Sequence, residues 1–116
     1  MDIRTREEGS VTVLYLKGRL DLASGATLKE EVKKLFAKGC TQIHLNLAEV
    51  EFINSSGLGS LVSVMKEVRL LKGRLTLSNL ASYVQEIFDI TQLSHIFEVF
   101  PTEEDALVSS QSVSVV

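Results

Sequence analysis

Val50-Glu51-Phe52-Ile53-Asn54-Ser55-Ser56-Gly57-Leu58-Gly59-Ser60 is the stretch on which the fold turns. Phe52-Ile53 closes an apolar run, and from Leu58 onward Leu58, Leu61, Val62, Met65 and Val68 recur at the spacing of one helix face. Between the two lie Asn54, Ser55 and Ser56, whose short polar side chains satisfy the free N–H groups at the start of a helix. A loop therefore feeds a helix here. Gly57 and Gly59 keep its first turn free of bulk, so backbone N–H groups carrying partial positive charge face outward. Taken by itself the stretch is a helix cap, because any Ser-rich cap has this form. Its open polar turn is equally suited to meeting a partner.

The flanking sequence supplies the frame. Upstream, Ile43-His44-Leu45-Asn46-Leu47 alternates with period two, which predicts a half-buried strand whose apolar set faces a helical layer while His44 and Asn46 turn the other way. Before it, Leu28, Val32, Leu35 and Phe36 predict an amphipathic helix from Ala26 to the stop at Gly39. Val11 to Lys17 reads as a strand ended by Gly18, and residues 3–7 can pair with it across Glu8-Gly9-Ser10. Downstream, Arg74 to Ser78 is a strand with Leu75 and Leu77 on one face. Val84, Ile87 and Phe88 mark a helix, and Ile96 to Phe100 a short last strand. Pro101-Thr102-Glu103-Glu104-Asp105 opens a final helix, with Thr102 as cap and acids where the helix dipole favours them. The order ββαβαβαβα predicts an α/β fold with a mixed sheet, right-handed crossovers and helices mainly on one face. The other face is expected to be only partly covered. Residues 1–108 make the domain, and residues 109–116 read as a loose tail.

Composition narrows the function. The 116 residues are 45% hydrophobic and 23% charged, enough for one core and one domain. A formal net charge of -3 offers no basic footprint for a phosphate backbone, so nucleic acid is not an expected partner. The polar start Met1-Asp2-Ile3-Arg4 lacks the apolar core of a signal peptide, and no run reaches the roughly 18 apolar residues of a spanning helix. A cytoplasmic protein without membrane insertion is the expectation. Cys40, the one cysteine, can form no internal disulfide and reads as a small buried apolar residue.

Enzyme chemistry finds no footing. A phosphate-cradling loop needs a Lys before its Ser or Thr, and the nearest lysine, Lys66, lies two turns into the helix. A hydrolase elbow needs Gly-x-Ser-x-Gly, whereas the order here is Ser-Ser-Gly-Leu-Gly, with His44 and His95 the sole candidate bases. Asn54-Ser55-Ser56 fits the N-glycosylation pattern but belongs to a chain with no secretory signal. No His, Cys and carboxylate set has metal-ligand spacing, and no cofactor loop is present.

Gly18-Arg19-Leu20-Asp21 after the second strand, Leu45-Asn46-Leu47 in the third, and Phe52-Ile53-Asn54-Ser55-Ser56-Gly57-Leu58-Gly59 together resemble the signature of the STAS domain family. Ile87-Phe88-Asp89-Ile90-Thr91-Gln92-Leu93 followed by Ile96-Phe97 is similar to that family's third helix and last strand, so the resemblance spans nearly the whole chain. It implies an anti-sigma factor antagonist. Such a protein binds an anti-sigma factor that is also a serine kinase, thereby releasing a sigma factor; phosphorylation by that kinase ends the contact, and a phosphatase resets it. The family pattern Asp-Ser-Ser/Thr-Gly-Leu-Gly places the phosphorylated serine at Ser55. It places a partner-binding surface at Asp21, Asn54, Ser55, Ser56, Gly57, Leu58 and Gly59, extending along the helix to Ser60, while Ser63 and Lys66 beyond it read as solvated helix face. Asp21 alternatively caps the helix that follows it. Asn54 departs from the family's aspartate: the amide keeps the cap and removes the charge. The resemblance also admits an unphosphorylated binding or scaffold subunit of another regulatory or transport-associated complex.

Overall fold

A computed structural model of the chain describes residues 1–114, with side chains as far as Ser110. Five strands form one sheet in the order β1 (Asp2–Glu8), β2 (Val11–Leu20), β3 (Gln42–Ile53), β4 (Arg74–Ser78) and β5 (Glu98–Phe100). The first pair is antiparallel and the rest are parallel, as a hairpin followed by βαβ crossovers requires. Helices α1 (Leu22–Ala37), α2 (Ser55–Leu70) and α3 (Ser82–Ile90) return the chain between parallel strands, and α4 (Glu103–Ser114) ends the described chain.

Pleat alternation sorts the two faces of the sheet. Leu14, Leu45 and Leu77 are fully buried against Leu28, Leu61, Val64 and Phe88 of α1, α2 and α3, which is the main core. The intervening residues Tyr15, Asn46 and Arg74 point to the opposite face and meet α4 through Glu103, Ser109 and Ser110. That face is therefore covered more fully than the sequence suggested. Its cover is polar: Glu103 receives bonds from Arg6, Tyr15 and Asn46, and Ala106 is a small buried residue beneath it. Residues 109–114, set apart above as a tail, continue α4; Val115 and Val116 lie outside the described residues.

Several boundaries differ from the pattern reading. Gly18 does not end β2: it sits within the strand at φ 116, beside a shift in the β2–β3 register, and the strand runs on to Leu20. β3 continues past Leu47 to Ile53 through exposed Ala48 and Glu49, which break the alternation. α1 begins at Leu22 instead of Ala26, because Asp21 caps it. The last strand is shorter than Ile96–Phe100, since Leu93–His95 form a 3-10 turn and β5 starts at Glu98. Cys40 is half-buried at the rim of the core.

Candidate partner-binding site

β2 and β3 are adjacent and parallel, and each passes directly into a helix at its C-terminal end. The two helix starts therefore lie side by side at one edge of the sheet, where α/β folds place their functional groups. Asn54 is extended at φ -113 and its Oδ1 accepts from the Gly57 N–H at 2.9 Å, which caps α2. An amide oxygen does here what an aspartate oxygen would. Asn54 N–H in turn donates to the Leu20 carbonyl at 3.3 Å, tying the two strand ends together.

Gly57 explains how closely the junctions approach. A Cβ at this position would overlap the carbonyl oxygen of Leu20, a backbone atom that cannot turn aside. Gly25 has the same role one layer over, where a Cβ would strike the Ser60 side chain at the α1–α2 contact. Gly59 faces open space. Of the two glycines in the motif, one is a packing requirement and the other leaves the surface bare.

Asp21 caps α1 through a reciprocal box. Its carboxylate accepts from the Ser24 N–H at 3.1 Å, while Ser24 Oγ accepts from the Asp21 N–H at 2.8 Å and donates to the Arg19 carbonyl at 2.7 Å. The bond from the Ser24 N–H holds the Asp21 carboxyl below its ordinary 3.8, so it is ionised at neutral pH. Arg19, one residue before Leu20, stacks over the Phe52 ring at 3.8 Å and braces the outer side of the same junction.

Ser55 and Ser56 are exposed in the first turn of α2, and no side-chain hydrogen bond within the described residues engages either hydroxyl. Leu58 is half-buried against the core, Gly57 is buried, and Gly59 is exposed. Ser60 and Ser63 are partly covered while Lys66 is open. Asp21, Asn54, Ser55, Ser56 and Gly59 thus meet at one surface, whereas Gly57 acts beneath it. Pattern reading missed Tyr83, whose hydroxyl donates to the Ile53 carbonyl at 3.0 Å and accepts from the Ile53 N–H at 2.8 Å. It pins the end of β3 from the start of α3. An aromatic residue with a polar tip in a helix's first turn was the one available signal, and it says nothing of its partner.

His44, 0% exposed, lies away from this edge, between the Thr76 and Ser78 hydroxyls at 2.7 Å from each ring nitrogen. It is part of the sheet interior and no serine of the motif has it as a base. His95 is exposed. Among the described residues no cluster of three His, Cys, Asp or Glu side chains could hold a metal ion, and no helix is long and apolar enough to cross a membrane.

A capped helix start with two uncommitted hydroxyls on a mixed sheet, bound to a neighbouring capped helix start, defines a small α/β domain with an exposed polar edge. The chain belongs to the STAS domain family, which matches residues 2–106. It is similar to the anti-sigma-B factor antagonist of Bacillus subtilis, with 32% identity over 89 residues, 77% of this chain and 81% of the relative. Its fold is that of a Thermotoga maritima protein assigned as an anti-sigma factor antagonist, at TM-score 0.85 and 24% identity over 92% of each chain. The Bacillus cell fate determinant SpoIIAA in its phosphorylated form is also similar, at TM-score 0.71 and 23% identity, covering 94% of this chain and 99% of that one.

Proposed function

We propose that this protein is a bacterial, cytoplasmic anti-sigma factor antagonist: it binds an anti-sigma factor serine kinase, releases a sigma factor, and is switched off by phosphorylation at Ser55. The observation that carries the reading is the exposed Ser55 hydroxyl in the first turn of α2, beside the ionised Asp21 at the neighbouring junction. The relatives named above support the partner class.

Electrostatics makes such a switch workable. A phosphate on Ser55 would bring about -1.5 to -2 charges to a helix N-terminus, where the dipole favours them, so the domain keeps its fold. A docked partner would have to strip water from that group and would meet it together with the Asp21 carboxylate. Phosphorylation then blocks binding without unfolding. A phosphatase restores the hydroxyl and the cycle.

Asn54 sets the rate of that cycle in this reading. It supplies the cap, but not the charge an aspartate would add next to the phosphorylated hydroxyl. The kinase encoded by the same organism, assayed on wild type, Asn54→Asp and Ser55→Ala, is expected to label the first slowly, the second faster and the third not at all. Absence of label from all three would assign the chain to the unphosphorylated binding subunits, and label on Ser55→Ala would move the site.

A further inference from the structure

We propose that the end of the domain opposite Ser55 is a docking surface for an anionic lipid bilayer, on which the protein lies without crossing it. Charge is segregated along the chain. Residues 29–41 and 60–73 hold seven of the twelve Lys and Arg but three of the fifteen Asp and Glu, so these spans are net positive in a chain of net charge -3. They come together in space. The α2–β4 turn packs on the end of α1, where a Cβ on Gly73 would overlap the Phe36 ring and the Thr41 carbonyl, and Arg74 N–H donates to that carbonyl at 2.9 Å.

Two leucines project from this end. Leu70 is 81% exposed and Leu71 53%, the former among the most exposed large apolar residues of the domain. Lys33 lines the α1–α2 groove with Leu71, which Lys72 follows in the chain, while Lys34, Lys38 and Lys66 stand on the same helices and their ends; all five are exposed, and none lies within ion-pair distance of a carboxylate among the described residues. Lys34 suits the carbonyl end of α1, and Arg69 is engaged with the Ile96 carbonyl at 2.7 Å. The other lysines have no such task.

Protruding leucines with free lysines on the same helix ends match a bilayer interface better than a protein one. A protein partner must offer a pocket shaped to Leu70, whereas a bilayer accepts any apolar side chain at its headgroup boundary and draws the lysines by its surface potential. α2 then works as a spacer. Its 16 residues span about 24 Å, so Ser55 at the far end stays open to solvent when Leu70 and Leu71 are seated.

Sedimentation with phosphatidylcholine vesicles, with and without about 30% phosphatidylglycerol, tests this on the full chain. The wild type is expected to bind the anionic vesicles and not the neutral ones, and to come off as salt is raised. A Leu70→Ser/Leu71→Ser variant and a Lys33→Glu/Lys72→Glu variant, both changing exposed side chains and checked for an unaltered circular dichroism spectrum, are each expected to lose about tenfold in partitioning. No binding by the wild type, or binding unchanged in either variant, overturns the proposal. So does cross-linking of Lys38 or Lys72 to an acidic protein in cells when vesicles do not bind. Phosphorylation at Ser55 is expected to leave vesicle binding unchanged, so failure of this proposal and failure of the switch are read separately.

Discussion

The two junctions at the sheet edge, β2 into α1 and β3 into α2, have the same geometry and opposite uses of serine. At the first, Asp21-x-x-Ser24 closes a reciprocal box and the Ser24 hydroxyl is spent on the Asp21 N–H and the Arg19 carbonyl. At the second, Asn54-x-x-Gly57 caps from one side, because the Leu20 carbonyl occupies the space that a side chain at residue 57 would need. Ser55 and Ser56 are displaced to the first two helical positions, where they face water. A serine in a cap is structural when it holds the third helical position and available when it holds the first. The close contact at Gly57 enforces the difference.

The largest effect that would break this comparison is at the contact itself. Gly57→Ala is expected to cost about 3 kcal/mol in denaturant unfolding, since a backbone carbonyl must move. Gly59→Ala, with nothing in the way, is expected to gain about 0.5–1 kcal/mol from helix propensity. Equal losses at both positions would mean that Gly57 is not the point of approach.

Acid separates the junctions from the sheet that carries them. Burial drives His44 down from 6.5 to about 4, with a smaller opposing influence from Glu103. The unfolded chain thus takes up the proton first: stability present above pH 6.5 declines as pH falls and levels off below about 4, a loss on the order of 3 kcal/mol. His44→Gln should flatten that slope. Below it, Asp21 adds a loss of its own, because a carboxyl held under its ordinary 3.8 stabilises the fold above that value and ceases to once protonated. Asp21→Asn removes this lower step. The α2 cap, an amide, contributes none.

Ser24→Ala is expected to cost about 1 kcal/mol by opening the box. Ser55→Ala should change stability by less than about 0.5 kcal/mol, the smallest effect of the series. A Ser55→Ala protein as destabilised as Ser24→Ala would erase the distinction between the two serines.

Much of this was legible from residue pattern. β4 starts and ends where Arg74 and Ser78 suggested, and the α2 face follows Leu61, Met65 and Val68. Thr102 caps α4 through the Asp105 N–H at 3.1 Å. What was not legible depends on distant partners. Gly18 looks like a stop but serves as an irregularity inside β2, because β3 continues alongside and needs the pairing. The early start of α1 was obscured by Gly25, a poor helix former that is required by the approach of Ser60. The cover over the second sheet face rests on polar bonds from Glu103 and Arg74, which no hydrophobic period announces. At the site, Asn54, Ser55 and Asp21 could be named from the sequence. That Gly57 is buried under Leu20 and that Tyr83 holds Ile53 could not, since both need the strand order.

The most direct test is the affinity of the proposed partner, an anti-sigma factor kinase, for this domain with Ser55 unmodified and with Ser55 phosphorylated, measured beside the thermal midpoint of each form. A switch at Ser55 predicts that the unmodified domain binds, that the phosphorylated one binds at least about a hundredfold more weakly, and that the two melt within a few degrees of each other. Equal affinity of the two forms, or loss of binding accompanied by loss of the fold, would contradict it.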